Sequence, residues 1–334
     1  MRKKTSARPK TRTRRKKPKA SVLRSPGVLR QWPWSEAVTS PEEPEEKDNT
    51  AAEPHANDSF EGHGAEGTIT TLHTTTLLQC KSVTHAFSTK VGGVSPLAQR
   101  ALSLGSTSHD SLENVEENRR RFFDALNLSA IPTVPLRQMH GDTVHFIERL
   151  PAATLMGDGV FTDREGLVLG VATSDCLPIL LAHRDDRFVS AVHAGWRGTA
   201  ARIAEKAVKD ACAHYGTKAG DIFAGLGPCI HKCCYPVRSD VREAFQGAGL
   251  PLDVFEENGN PDEAPPPASD AKAPSWRLDL VEANVLQLLA AGLPPRNIEV
   301  VDRCTSCDAS LFFSYRRDGE YAGRMMSVIV KGEG

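Results

Sequence analysis

The sequence predicts an α/β domain of mixed sheets flanked by helices, placed behind a tail that does not fold. Three observations predict it. Short apolar, β-branched runs recur at residues 168–171, 178–181 and 188–192, bounded by turn residues. Apolar positions recur at helical spacing at Ile203, Ala207, Val208, Ala211 and Tyr215. The first 68 residues show neither pattern, although the chain as a whole has 334 residues and is 40% hydrophobic.

The tail divides into two charged blocks. Residues 1–30 are dense in Lys and Arg and contain no acid, whereas residues 41–61 are rich in Glu, Asp and Pro, so the net charge of −1 conceals two opposed segments. Segments of this kind bury too little apolar surface to offset the entropy of ordering, so residues 1–68 are expected to be disordered and 69–334 to form one compact domain. Within that domain residues 115–126 read as a first helix. The three apolar runs read as strands, with Asp185 and Asp186 turning the chain between the last two. Thr199 can cap the helix that begins near Ile203 and stops at Gly216. Residues 256–274 are acidic and Pro-rich, which marks an inserted loop. Residues 278–291 read as a further helix, stopped by Gly292 and Pro294.

Chemistry concentrates around the strand runs. Cys176 lies just past the first, His193 ends the third before Ala-Gly-Trp-Arg-Gly, and His140 precedes Gly141 in the extended segment RQMHGDTVH (137–145). Each alone fits a structural role, a small core thiol or a satisfied imidazole. Together they form a His, His, Cys set that suits tetrahedral zinc with a fourth position open to water or substrate. Their long spacings match no compact zinc-finger pattern. Asp175, beside Cys176, is a candidate general base or orienter of a ligand histidine, and equally a turn residue.

Six ordered segments, HAFSTKVGGVS (85–95), RQMHGDTVH, ATSDCLP (172–178), AVHAGWRGT (191–199), GPCIHKCCYPV (227–237) and CTSCDASLFFSYRRDGEYAGR (304–324), resemble the polyphenol oxidase or laccase-domain family. Its bacterial members are called peptidoglycan editing factor and are described as purine nucleoside phosphorylases. The resemblance runs from about residue 70 to the C-terminus. It implies a single domain related to a cysteine-hydrolase-like fold and a metal site on His140, Cys176 and His193. The chain departs from the family at Lys90, where Arg is usual, and at Ser103 and Ser174, where Asn and Ala are usual. It also reads GDGVFT (157–162) where Ala-Asp-Ala is the typical start. Lys offers phosphate a point charge where Arg offers a bidentate fork.

The chemistry open to such a trio is limited. Zinc activates water for deamination of a purine ring carbon, whereas phosphorolysis also needs an anion site. Lys90, Arg197, Arg316 and Arg317 are the cationic candidates, and the Gly92-Gly93 turn could present backbone N–H groups. The leading expectation is a zinc enzyme, with copper also tolerated by the ligands, that phosphorolyses adenosine, inosine and S-methyl-5′-thioadenosine and deaminates adenosine, with phosphate as co-substrate. Alternatives are a hydrolase of cell-wall peptide precursors with Cys176 as nucleophile, a copper phenol oxidase, and a non-enzymatic core tethered to nucleic acid by its basic tail. No aromatic residues interleave the basic run, which argues against specific nucleic-acid reading.

Eight cysteines over this length make a poor disulfide framework, and no apolar run approaches the roughly 18 residues of a membrane span. A reducing cytoplasm and no membrane partner are the expectation. Cys304 and Cys307 form a CxxC expected to be structural, because no second CxxC accompanies it. Cys234-Tyr235 resembles the family's usual Cys-Tyr and is expected to pack. No metal is expected at His231, Cys233 and Cys234.

Overall fold

The computed structural model describes residues 20–24, 68–97, 101–257 and 275–332. Most of the expected tail and the segment 258–274 lie outside the described residues.

The runs read as strands do form strands, but they belong to two sheets. In spatial order the first sheet contains Ala20–Arg24, Ile69–His73, Val83–Ser88, Met325–Lys331 and Val168–Thr173. The second contains Ile298–Val300, Ile222–Leu226, Leu177–His183, Val189–Ala194, Gly159–Thr162 and Val144–Phe146. Residues 174–176 therefore carry the chain from one sheet to the other. Two smaller sheets, one of three strands and one of two, complete the fold.

Strand periodicity explains the layering. In Leu177–His183, Leu180 and Ala182 face the first sheet and join Phe87, Leu169 and Ile329 in an inter-sheet core. Ile179 and Leu181 face the other way, toward helices Ile203–Tyr215 and Leu280–Ala290. Burial on both faces is why these strands read as unbroken apolar runs. On the outer face of the first sheet, helix Leu112–Ala125 buries Phe122 against Ala86, Val328 and Val330. The order of layers is helix, sheet, sheet, helices.

The helix expectations hold in place and period, with one correction. Ser111 caps the first helix by accepting from the Asn114 N–H at 3.2 Å, and Asp279 caps the last by accepting from the Glu282 N–H at 2.9 Å. Thr199 does not cap the middle one. It lies in a short helix, Trp196–Ala200, and Arg202 in the left-handed region (φ 62°) separates the two. Gly195 opens that short helix, and Thr199 Oγ1 accepts instead from Asn284 Nδ2 at 2.9 Å.

Two boundaries shift. Residues 20–24, inside the segment expected to be disordered, pair in parallel with Ile69–His73. Glu256 and Glu257, assigned to the inserted loop, form the strand Phe255–Glu257 against Ser275–Leu278. None of the described helices is long and apolar enough to cross a membrane.

Leu181 is fully buried between its sheet and the helices. Leu181→Ala is expected to cost about 3 kcal/mol, from lost transfer energy and a residual cavity. Urea unfolding should show a lower midpoint at unchanged slope.

Candidate metal centre

Strand register assembles the site. The hairpin between Leu177–His183 and Val189–Ala194 pairs Ala194 with Leu177, which sets Gly195 opposite Cys176. Val192 pairs with Gly159, so His193 lies beside Asp158. Val144 pairs in parallel with Gly159, which brings the turn at 139–142 to the same edge. His140, Cys176 and His193 thus meet, their ligating atoms all within 4.8 Å of one another. The two imidazoles stand edge to face, ring centroids 4.8 Å apart.

Asp158 fixes both histidines. Its side chain is fully buried, and Oδ1 accepts from His193 Nδ1 at 2.9 Å. The same carboxylate accepts the consecutive backbone N–H groups of Met139 at 3.1 Å, His140 at 2.8 Å and Gly141 at 2.7 Å. His140 adopts φ 59°, and this left-handed residue lets three successive N–H groups converge on one anion. Sequence reasoning overlooked Asp158. The available signal was an acid opening an otherwise apolar strand, in the GDGVFT segment that departs from the family pattern.

The charges are arranged for a thiolate. Burial by itself would raise the Cys176 thiol, but the positive charge of His193 and hydrogen bonds from His140 and His193 outweigh it and draw the pKa down to about 6. Burial would likewise lower His193, yet the Cys176 thiolate and Asp158 hold it up at about 9. Burial opposes ionisation of Asp158 too, and its hydrogen bonds from His193 and Gly141 keep it below the usual carboxylate range.

The residues present fit a metal ion. Two imidazoles and a thiolate are borderline donors suited to zinc. Asp158 orients one of them from behind, as carboxylates do for metal-bound histidines. A Cβ on Gly195 would lie 3.1 Å from Cys176 Sγ and 3.4 Å from His140 Cδ2, so glycine keeps the space among the donors clear.

Other candidates separate. Asp175, in the left-handed region at φ 91°, does not orient a ligand histidine. Its carboxylate accepts from Thr305 Oγ1 and from the Arg316 N–H, both at 2.6 Å. Arg316 lays its guanidinium over the Tyr235 ring at 5.1 Å and donates to the Pro236 carbonyl. Arg197 lies over Trp196 at 4.2 Å. Both cations, with Cys176, influence Tyr235, whose hydroxyl is pushed up chiefly by burial and then by the Cys176 charge. Arg324, which sequence reasoning also overlooked, has its pKa lowered by burial while Cys176 works against that shift.

Arg317 is not an anion ligand. Its guanidinium is taken up by Asp318 and by the carbonyls of Thr305, Ser306 and Phe312. Lys90 lies near Arg317 and Asp318, and burial followed by the Arg317 charge lowers its pKa. The Gly92-Gly93 turn is a packing device, since a Cβ on Gly93 would sit 2.1 Å from the Ala101 carbonyl oxygen. Cys233, Cys234, Cys304 and Cys307 lie together, all four thiols within 4.8 Å. Their 70-residue separation in sequence had concealed this.

A family model described as multi-copper polyphenol oxidoreductase laccase matches residues 84–332. The chain belongs to this family. Among similar proteins, purine nucleoside phosphorylase YlmD of Geobacillus stearothermophilus is 35% identical over 254 residues, covering 73% of this chain and 89% of that protein. Adenosine deaminase RL5, from an unknown prokaryotic organism, is 35% identical over 257 residues, covering 74% and 93%. The crystal structure of YlmD from G. stearothermophilus superposes with a TM-score of 0.67 at 33% identity, covering 76% of this chain and 94% of that one.

Metal-free protein should therefore alkylate at Cys176 with a rate that rises through a pH near 6 rather than 9, because the thiolate is the nucleophile. Asp158→Asn should move that inflexion upward by weakening the His193 charge. It should also lower metal affinity about 10- to 100-fold. Peptide-resolved iodoacetamide kinetics and zinc titration measure both.

Proposed function

We propose that the chain is a zinc-dependent purine nucleoside enzyme. It phosphorolyses adenosine, inosine and S-methyl-5′-thioadenosine to free base and pentose 1-phosphate, and it deaminates adenosine. The observation that carries this reading is the convergence of His140, Cys176 and His193 on one strand edge, with Cys176, Arg316 and Arg197 all acting on Tyr235. The names of the relatives, purine nucleoside phosphorylase and adenosine deaminase, support it.

His140, Cys176 and His193 would hold the metal, which supplies Lewis-acid activation of water or of a substrate oxygen. In phosphorolysis a phosphate oxygen bonds to the anomeric carbon as the glycosidic C–N bond breaks, and the purine leaves with that electron pair and takes up a proton. Arg316 and Arg197 are assigned to hold and orient the phosphate, with Lys90 a third cation. Positioning and charge stabilisation dominate such transfers. In deamination water adds to the purine ring carbon and ammonia leaves. Asp175 is assigned to hold the Arg316 backbone through Oδ2, and so to set where the guanidinium begins.

A second reading has its own observation. Cys176, His193 and Asp158 stand in the order of a thiol, its base and the base's orienting carboxylate. That arrangement also suits a cysteine hydrolase acting on cell-wall peptide precursors, in keeping with the cysteine-hydrolase-like relation expected of the fold. A multi-copper oxidase needs more imidazoles than the two this trio offers. All eight cysteines are unpaired, which supports a reducing cytoplasm as the proposed location.

Zinc-loaded protein incubated with adenosine should yield adenine and ribose 1-phosphate only when phosphate is present, and inosine without it. Cys176→Ala should abolish both. Arg316→Ala should raise the KM for phosphate about tenfold or more while sparing deamination, as expected for loss of a charge-assisted contact worth roughly 1.5–3 kcal/mol. No conversion by folded, zinc-loaded protein would overturn the nucleoside reading. An acyl-enzyme on Cys176 formed without metal would establish the hydrolase.

A further inference from the structure

The cysteines outside the trio form a second site. Cys233 and Cys234 end the 3₁₀ turn Lys232–Cys234, while Cys304 and Cys307 flank a separate loop near the C-terminal end of the domain. The sulfur atoms of Cys233 and Cys234 are 3.7 Å apart, those of Cys233 and Cys307 3.6 Å, and those of Cys234 and Cys307 3.3 Å. Zinc–sulfur bonds of about 2.3 Å in a tetrahedron set the sulfurs about 3.8 Å apart. The observed spacings are close to that edge length and far longer than a disulfide of about 2.05 Å.

Hydrogen bonding supports a ligand role. The His231 N–H points to Cys304 Sγ at 3.4 Å, and the backbone N–H groups of Cys307 and Ser306 also donate to that sulfur. Donation to sulfur by backbone amides stabilises thiolate character. Arg277 donates to the Cys233 carbonyl, so one cation bonds the backbone of a cluster that would carry negative charge when metallated. Cys233 and Cys307 are exposed, which gives an ion a way in.

We propose that Cys233, Cys234, Cys304 and Cys307 bind a second metal ion, a single tetrahedral zinc held by four thiolates, separate from the His140, Cys176 and His193 site. The four thiols lose their protons to solvent on binding, with no change of oxidation state. The ion joins two loops that also meet through a parallel backbone β-bridge between Cys229 and Cys304, where the Thr305 N–H donates to the Cys229 carbonyl at 2.9 Å. The consequence reaches the first site. Thr305, next to Cys304, holds Asp175, and Asp175 also accepts the Ile230 N–H on its carbonyl at 2.9 Å. Locking the two loops fixes Asp175 from both sides, directly before Cys176.

The test uses the full chain, purified under reductant without chelator. His140→Ala/Cys176→Ala, which removes two of the three donors of the first site, should retain about one zinc per chain by mass spectrometry of the metal. Adding Cys233→Ser and Cys307→Ser should remove it. Cobalt supplied to the His140→Ala/Cys176→Ala protein should give strong thiolate charge-transfer absorption and tetrahedral visible bands, a readout that does not depend on folding of the serine variants. Absence of zinc and of the cobalt spectrum in that protein would overturn the proposal. A disulfide among the four cysteines, found by mass mapping of protein thiol-blocked at lysis with no reductant added, would overturn it as well.

Discussion

Asp158 is a carboxylate with no exposed side-chain surface, and its ionisation has to be supported from within. An unpaired buried charge would cost several kcal/mol. Here three successive backbone N–H groups and one imidazole surround it, so the desolvation cost is offset by charge-assisted hydrogen bonds. Each bond also constrains geometry. The turn that presents His140 is wound around this anion, and the ring of His193 is turned by it. Strand pairing brings the two histidines to one edge, and Asp158 is the side chain that bonds both segments there.

From that centre the electrostatics propagate outward. The Cys176 thiolate and then Asp158 raise the pKa of His193, and the positive His193 in turn favours Cys176 as thiolate. The same chain of charges serves a metal ligand set or a nucleophile with its base, which is why two chemical readings arise from one geometry. What favours the nucleoside reading is the surroundings. Arg316 and Arg197 bear on Tyr235, which also feels the Cys176 charge, an environment suited to an anionic co-substrate, and the similar proteins carry nucleoside-enzyme names.

The architecture supplies rigidity to this arrangement. Stacked sheets with buried faces on both sides hold strand ends to fixed positions, and three strand pairings converge at one edge. The crossover at residues 174–176 places Cys176 where the chain leaves one sheet for the other. A residue at such a crossover is not committed to either ladder, so its backbone is free for other bonds, as where the Asp175 carbonyl accepts the Ile230 N–H. Asp175 spends its carboxylate on Thr305 and Arg316, and through them ties the strand edge to the C-terminal loops.

Local pattern alone determined much of this molecule. Apolar, β-branched runs located the central strands, helical spacing located three helices, and donor chemistry suggested His140, Cys176 and His193, because apolar runs, helical period and ligand type are properties of short segments. The cap at Thr199 failed for a tertiary reason: Arg202 turns left-handed and Thr199 is drawn to Asn284 on a neighbouring helix. Arg317, one of four cationic candidates in the sequence, proved to be spent on Asp318 and three carbonyls. Asp158 and the four clustered thiols were illegible for the same physical reason. Their partners on other segments lie 17 to 74 residues away, and only sheet register and loop packing decide which distant groups come within bonding distance.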